Sequence, residues 1–189
     1  MEPAGCVARN FLRPDRLDRS VHRGGGLNPY QGSPLGGGRK RGACHHAIGV
    51  SRGGRTTKIH ALTDDVGRPV AFVLTPGNAH DLEGAKALLN IRRPKQRLLA
   101  DRAYDARSLR DWLAERGTQA VIPPNPTRKH PHAYSRKAYK GRNLIERMFC
   151  RLKDFRRIAT RYDKRADTFL SAIYLAAAIT WWTAIESGA

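Results

Sequence analysis

From Thr56 to Leu62 the chain reads TTKIHAL, β-branched and alternating, which predicts a strand. Asp64-Asp65-Val66-Gly67 reads as a turn. Pro69–Thr75, PVAFVLT, is nearly all apolar and predicts a second, central strand. The short connection implies an antiparallel hairpin. A helix is expected next, with Asn78 as its cap, Asp81 in its first turn and Ala85, Leu88 and Leu89 on its apolar side. Arg97–Ala100 predicts a short strand ending on Asp101. Asp105 is expected to cap a helix carrying Leu109, Trp112 and Leu113, which Gly117 stops. Gln119–Ile122 is a further short strand, closed by Pro123-Pro124.

Asn125–Lys140 reads as a loop without an acid, holding Arg128, Lys129, Arg136 and Lys137. Tyr134 and Tyr139 interleave with these cations, which suits contact with a nucleic-acid backbone and bases. The next stretch, Tyr139–Lys153, falls on a helix at about 100° per residue. Leu144, Met148, Leu152 and Phe155 then share one side, with Ile145 and Phe149 on its flank. Tyr139, Glu146 and Lys153 recur every seventh residue on the opposite side, drifting by only about 20° per step. Arg142 joins them one turn before Glu146. A solvated face with i,i+4 pairs is the ordinary reading of such a stripe.

Thr168–Ile185 is uncharged and long enough to raise a membrane span, but its Thr and Ser residues and the small run Ala176–Ala178 favour a close-packed core helix. Asp167 is its expected cap. Met1–Gly54 shows no periodic apolar pattern and holds Gly24–Gly26 and Gly36–Gly38. It predicts a disordered Gly/Arg-rich arm over 1–54, able to trail along phosphates or simply to be a tail without a role. The remaining 55–189 alternates strands and helices, an α/β domain with a mixed sheet.

Charge narrows the function. Lys and Arg number 35 against 16 Asp and Glu, a net +19, which favours a polyanionic partner, nucleic acid before membrane. Cys6, Cys44 and Cys150 form no pair at metal or redox spacing and read as reduced thiols of a cytoplasmic protein. Cys44-His45-His46 are adjacent and poorly disposed to share one tetrahedral ion. The N-terminus carries no apolar core of a signal peptide. Asp101, at a strand end, and Glu146, on a helix able to pack beside it, are candidate ligands for divalent ions. Hard carboxylate oxygens suit Mg²⁺ (or Mn²⁺), which activates water and stabilises a leaving oxygen in phosphodiester cleavage.

The spacing of Tyr139, Arg142, Glu146 and Lys153 resembles the Y-x2-R-x3-E-x6-K signature of bacterial insertion-sequence transposases of the DDE type. Asp101-Arg102-Ala103-Tyr104-Asp105 resembles the D-[KR]-[GA]-Y-D segment of that group, and Ser51–His60 resembles its Gly-rich run. The resemblance spans Ile48 to about Trp182. It implies a ribonuclease-H-like fold, Mg²⁺, and cleavage and joining of transposon DNA ends. By the same resemblance Asp101 and Glu146 are the second and third triad carboxylates, and Tyr139, Arg142 and Lys153 hold phosphate and the transposon end. A homodimer and association with the nucleoid are compatible with it. The pattern's first aspartate, usually D-[ST] on an upstream strand, should fall near Arg23–Gln31, where the chain reads RGGGLNPYQ without a carboxylate. Asp15 and Asp18 lie further up, again without a strand pattern. The first strand is therefore expected to be missing or degenerate and the chain to be inactive, with a non-enzymatic basic nucleic-acid-binding remnant as the alternative.

Overall fold

The structure, a computed structural model, describes residues 5–12, 46–51, 54–94 and 96–186. Among the described residues the strands are β1 (Gly5–Leu12), β2 (Gly49–Ser51), β3 (Gly54–Thr63), β4 (Pro69–Pro76), β5 (Arg97–Ala100) and β6 (Gln119–Val121). The helices are α1 (Asp81–Ile91), α2 (Arg107–Ala114), α3 (Arg136–Tyr139), α4 (Asn143–Lys153), α5 (Arg156–Ala159) and α6 (Ala166–Glu186). The main sheet runs β4-β3-β1-β5-β6. β1 is antiparallel to β3 and parallel to β5; β5 and β6 are parallel, joined through α2 as a crossover requires. β2 adds a short antiparallel ladder to the start of β3.

Helices cover both faces. Leu98 and Ala100 of β5 point to the layer holding Leu88 of α1 and Leu113 of α2. Leu99, between them, points to the layer holding Ile145, Met148 and Leu152 of α4 and Phe169 and Ile173 of α6. The strand period of two thus feeds two cores. Burying each large aliphatic side chain contributes about 1.5–3 kcal/mol.

Several sequence expectations change. A first strand is present: Gly5–Leu12, inside the stretch expected to be an unordered arm, lies between β3 and β5 in the middle of the sheet. With β2 also there, the expected boundary at residue 55 does not divide the sheet. The pattern of GCVARNFL is weak, and its ladder bonds come from β3 and β5. Arg23–Gln31, Asp15, Asp18, Cys44 and His45 lie outside the described residues. Among the described residues β4 is not central: it pairs with β3 alone, and its apolar run serves two covering helices, α1 and α6. The Phe72 amide of this edge strand donates to the Tyr174 hydroxyl of α6 at 3.1 Å.

The caps also differ. His80, not Asn78, caps α1, accepting from the Leu82 amide at 3.3 Å. Asp105 is not the N-cap of α2, which starts after Ala106; its side chain turns to arginines instead. Asp167 lies within the first turn of α6, where it accepts from the Thr168 amide and pairs with Arg165. Gly117 does end the α2 region, at φ 66°. Within the expected loop, Ser135 caps the short α3. A 3-10 turn over Lys140–Arg142 leads into α4, so the predicted helix from Tyr139 is regular only from Asn143. Among the described residues, no helix is long and apolar enough to cross a membrane.

Candidate active site

β5 ends at Ala100, which leaves Asp101 at the C-terminal end of a strand, half-buried. Glu146 sits in the first turn of α4, which packs its Ile145, Met148, Phe149 and Leu152 inward. The two carboxylates meet through one residue. Arg142 Nη1 donates to Glu146 Oε1 at 2.7 Å, and Arg142 Nη2 lies 3.7 Å from Asp101 Oδ2. Arg142 Nε is buried and meets no hydrogen-bond partner among the described residues. The guanidinium stands 5.7 Å from the centre of the Tyr139 ring, which meets Tyr134 edge-on at 5.7 Å. Burial pushes the Tyr139 hydroxyl's pKa up, against the opposing pull of Arg142.

The structure thus brings Asp101, Tyr139, Arg142 and Glu146 together. Lys153 is exposed at the far end of α4, about 10 Å along the helix axis from Glu146. Lys129, Arg136 and Lys137 are exposed. Arg128 is not a free surface cation: it holds Asp105 Oδ2 at 3.2 Å and the Asp105 carbonyl at 3.3 Å.

Polar residues to which the sequence reading gave no site role hold this arrangement. Tyr104, three residues past Asp101, is fully buried and shares a 2.9 Å hydrogen bond with His60 Nδ1. His60 Nε2 meets Thr75 Oγ1 at 2.8 Å. Asp105 is buried and accepts from Arg110 at 2.8 Å, while Arg110 also donates to the Ile122 carbonyl. The Asn125 amide donates to Asp105 at 2.8 Å, so this carboxylate fastens the start of the basic loop. Burial pushes the Asp105 carboxyl up, but the Asn125 amide and the two arginines outweigh it and hold its pKa below the usual range. Lys58 pairs with Asp81 at 3.0 Å, tying β3 to α1. Arg161, 2 % exposed, donates to the carbonyls of His46, Asp163 and Lys164 and to Thr57 Oγ1. In the sequence Tyr104 and Asp105 belong to the Asp101–Asp105 segment and Thr57, Lys58 and His60 to the Ser51–His60 run, but neither pattern shows what they bond to.

The place beside Asp101 is readable from the ladder. Gly5, Cys6 and Val7 pair with Leu98, Leu99 and Ala100, so one further step brings Ala8 level with Asp101. β1 carries no acid along its length. Among the described residues, no three His, Cys, Asp or Glu side chains cluster to hold a metal ion. The two carboxylates present do fit one Mg²⁺ or Mn²⁺ in donor type, since such ions are commonly held by one or two carboxylates together with substrate phosphate.

The chain belongs to the Transposase DDE domain family, which matches residues 31–181. It is 39% identical over 127 residues to a Brucella ovis protein named as a candidate transposase for insertion sequence element IS6501, covering 67% of this chain and 98% of that protein. It is 29% identical over 142 residues to a Burkholderia cepacia protein similarly named for insertion sequence element IS402, covering 69% of this chain and 64% of that protein. Two solved structures are also similar, the Mos1 strand transfer complex and a pre-cleavage Mos1 transpososome, at TM-scores of 0.34 and 0.33 and 15% and 16% identity. They match over 92% and 97% of this chain, which spans 51% and 55% of those chains.

Proposed function

We propose that this chain is the ribonuclease-H-like catalytic portion of an insertion-sequence transposase, with Asp101 and Glu146 as its second and third carboxylates and transposon-end DNA as its partner. The observation that carries the reading is that both carboxylates reach the same guanidinium, that of Arg142. A strand-end acid and a helix acid that converge on one cation can converge on another. Bound there, Mg²⁺ or Mn²⁺ would supply a polarised phosphodiester and an activated water. Asp101 and Glu146 would hold it, while Tyr139, Arg142 and Lys153 would bind and orient the DNA backbone. Lys129, Arg136 and Lys137 would extend that contact, at the nucleoid of the cytoplasm.

In this reading the chain by itself does not cut or join DNA at a useful rate. Two-metal chemistry needs ligands that fix both ions, and the strand beside Asp101 offers no acid. Each ~1.4 kcal/mol of transition-state stabilisation lost is tenfold in rate. The same observation favours a second reading, a basic DNA-binding remnant without activity. A cleavage assay with Mg²⁺ or Mn²⁺ and DNA carrying the element's ends separates them, run on the chain and on Ala8→Asp. Nicking by Ala8→Asp alone, abolished by Asp101→Ala, is the expected result. Nicking by the unaltered chain that depends on Asp101 would overturn the inactivity. Activity in neither would favour the remnant.

A further inference from the structure

We infer that Arg142 is a placeholder cation for the Asp101–Glu146 pair. It trades these carboxylates for a DNA phosphate when a divalent ion enters, so that DNA and the ion promote each other's binding. The inference rests on the reading of Asp101 and Glu146 as metal ligands. It is carried by how incompletely Arg142 is satisfied. The guanidinium has five N–H donors in a fixed fork. One hydrogen bond reaches Glu146 at 2.7 Å, while the approach to Asp101, at 3.7 Å, is too long for a second. The Nε donor, buried beside them, has no partner among the described residues. A side chain with a role only in stability would be expected to close these bonds.

A divalent ion seated between the same carboxylates places like charge against the guanidinium in a half-buried site, where Coulomb energies exceed those in water. The two cations therefore compete. Once released, Arg142 needs an anion, and a phosphate matches its fork with two parallel hydrogen bonds. Tyr139 walls one side, and Lys137 and Lys140 are exposed nearby in the chain, so the anion meets a basic rim. If phosphate draws Arg142 away, the carboxylates are freed for the ion. Linkage then requires the ion to tighten DNA by the same factor.

The test is Mn²⁺ binding followed by the electron paramagnetic resonance signal of the free ion. It uses the full chain, with and without a DNA duplex, after subtracting ions held by the duplex alone. Asp101→Asn should lose the site. Without DNA, Arg142→Gln should bind Mn²⁺ about two- to fivefold more tightly than the unaltered chain, the range expected from half-exposed guanidinium–carboxylate pairs. The duplex should tighten Mn²⁺ more in the unaltered chain than in Arg142→Gln, where a phosphate ligand adds to the site but no guanidinium is displaced. Arg142→Lys, which keeps the charge and loses the fork, should fall between them and carries the test if the Gln variant does not fold. An Asp101-dependent site whose affinity is unchanged or weakened in both Arg142 variants overturns the placeholder role and leaves the metal reading standing. Mn²⁺ binding indifferent to Asp101→Asn overturns the metal reading itself.

Discussion

The Tyr104 hydroxyl sits 2.9 Å from His60 Nδ1, which ties the turn after Asp101 to the middle of β3. The other imidazole nitrogen is held by Thr75 of β4 at 2.8 Å. Both partners are hydroxyls, able to donate or accept, so either imidazole tautomer is served. Tyr104→Phe keeps the ring and removes the hydroxyl that meets Nδ1. Losing one partner of a buried hydrogen bond costs about 1–3 kcal/mol. Urea unfolding should report a loss of that size; a midpoint equal to the unaltered protein's would show that the bond contributes nothing.

Gly84 of α1 lies against the same imidazole. A Cβ built there would come within 2.4 Å of the His60 ring. Two effects oppose one another in Gly84→Ala. Helix propensity favours alanine by about 1 kcal/mol. Overpacking a closed core costs about 1–3 kcal/mol or more, and a ring hydrogen-bonded at both nitrogens cannot easily retreat. The clash should win, and the variant should unfold at lower urea. A more stable Gly84→Ala would show that α1 can move away from β3.

Asp105 gives the fold an acid-sensitive point. Its carboxyl is buried between Arg110 and Arg128, and its pKa is lowered on folding. A lowered folded pKa contributes stability that is complete above the unfolded value and is lost as pH falls through the folded one. The loss therefore begins near the unfolded value of about pH 4 and continues below it. Asp105→Asn leaves Arg110 buried beside an uncharged partner, at a cost of about 3–5 kcal/mol near neutral pH. The gap between the two proteins should close as the pH is taken below about 4. A gap independent of pH would assign the loss to packing and not to the carboxylate's charge.

How far these elements could be read from sequence depended on the range of the forces that make them. The buried side of α4 and the shared face of Tyr139, Arg142 and Glu146 follow from a period of 3.6, a local property. Asp101 was legible as the residue after a short apolar strand. The contact from Arg142 to Asp101 crosses 41 positions of sequence and has no local signature. Lys58 and His60 are polar positions that alternate with Ile59 and Ala61 in the predicted strand. They are buried because helices cover both faces, and each is satisfied by a residue far along the chain. β1 was missed for the complementary reason: GCVARNFL has little pattern, and its place is fixed by the open ladders of β3 and β5. Asp105 has the form of a cap, but two arginines and the Asn125 amide offer it more than one free helix amide would.

The basic loop after β6 has two kinds of cation, and they should fail differently. Lys129, Arg136 and Lys137 are exposed, whereas Arg128 is committed to Asp105. DNA binding by a chain of net charge +19 should weaken steeply with salt through counterion release. Each phosphate contact contributes about 0.9 to the slope of log affinity against log salt. Replacing Lys129, Arg136 and Lys137 together with Ala should weaken binding to all sequences alike and flatten the slope by up to about three contacts' worth. Thermal stability should barely move, since exposed charges contribute little to folding. Arg128→Ala should do the reverse. It removes a partner of a buried carboxylate and frees the start of the loop, so unfolding should come earlier while the salt slope keeps most of its value. Filter binding over a salt series, with melting curves on the same samples, separates the two. A flattened slope in Arg128→Ala without loss of stability would mean that this arginine leaves Asp105 for a phosphate when DNA is present.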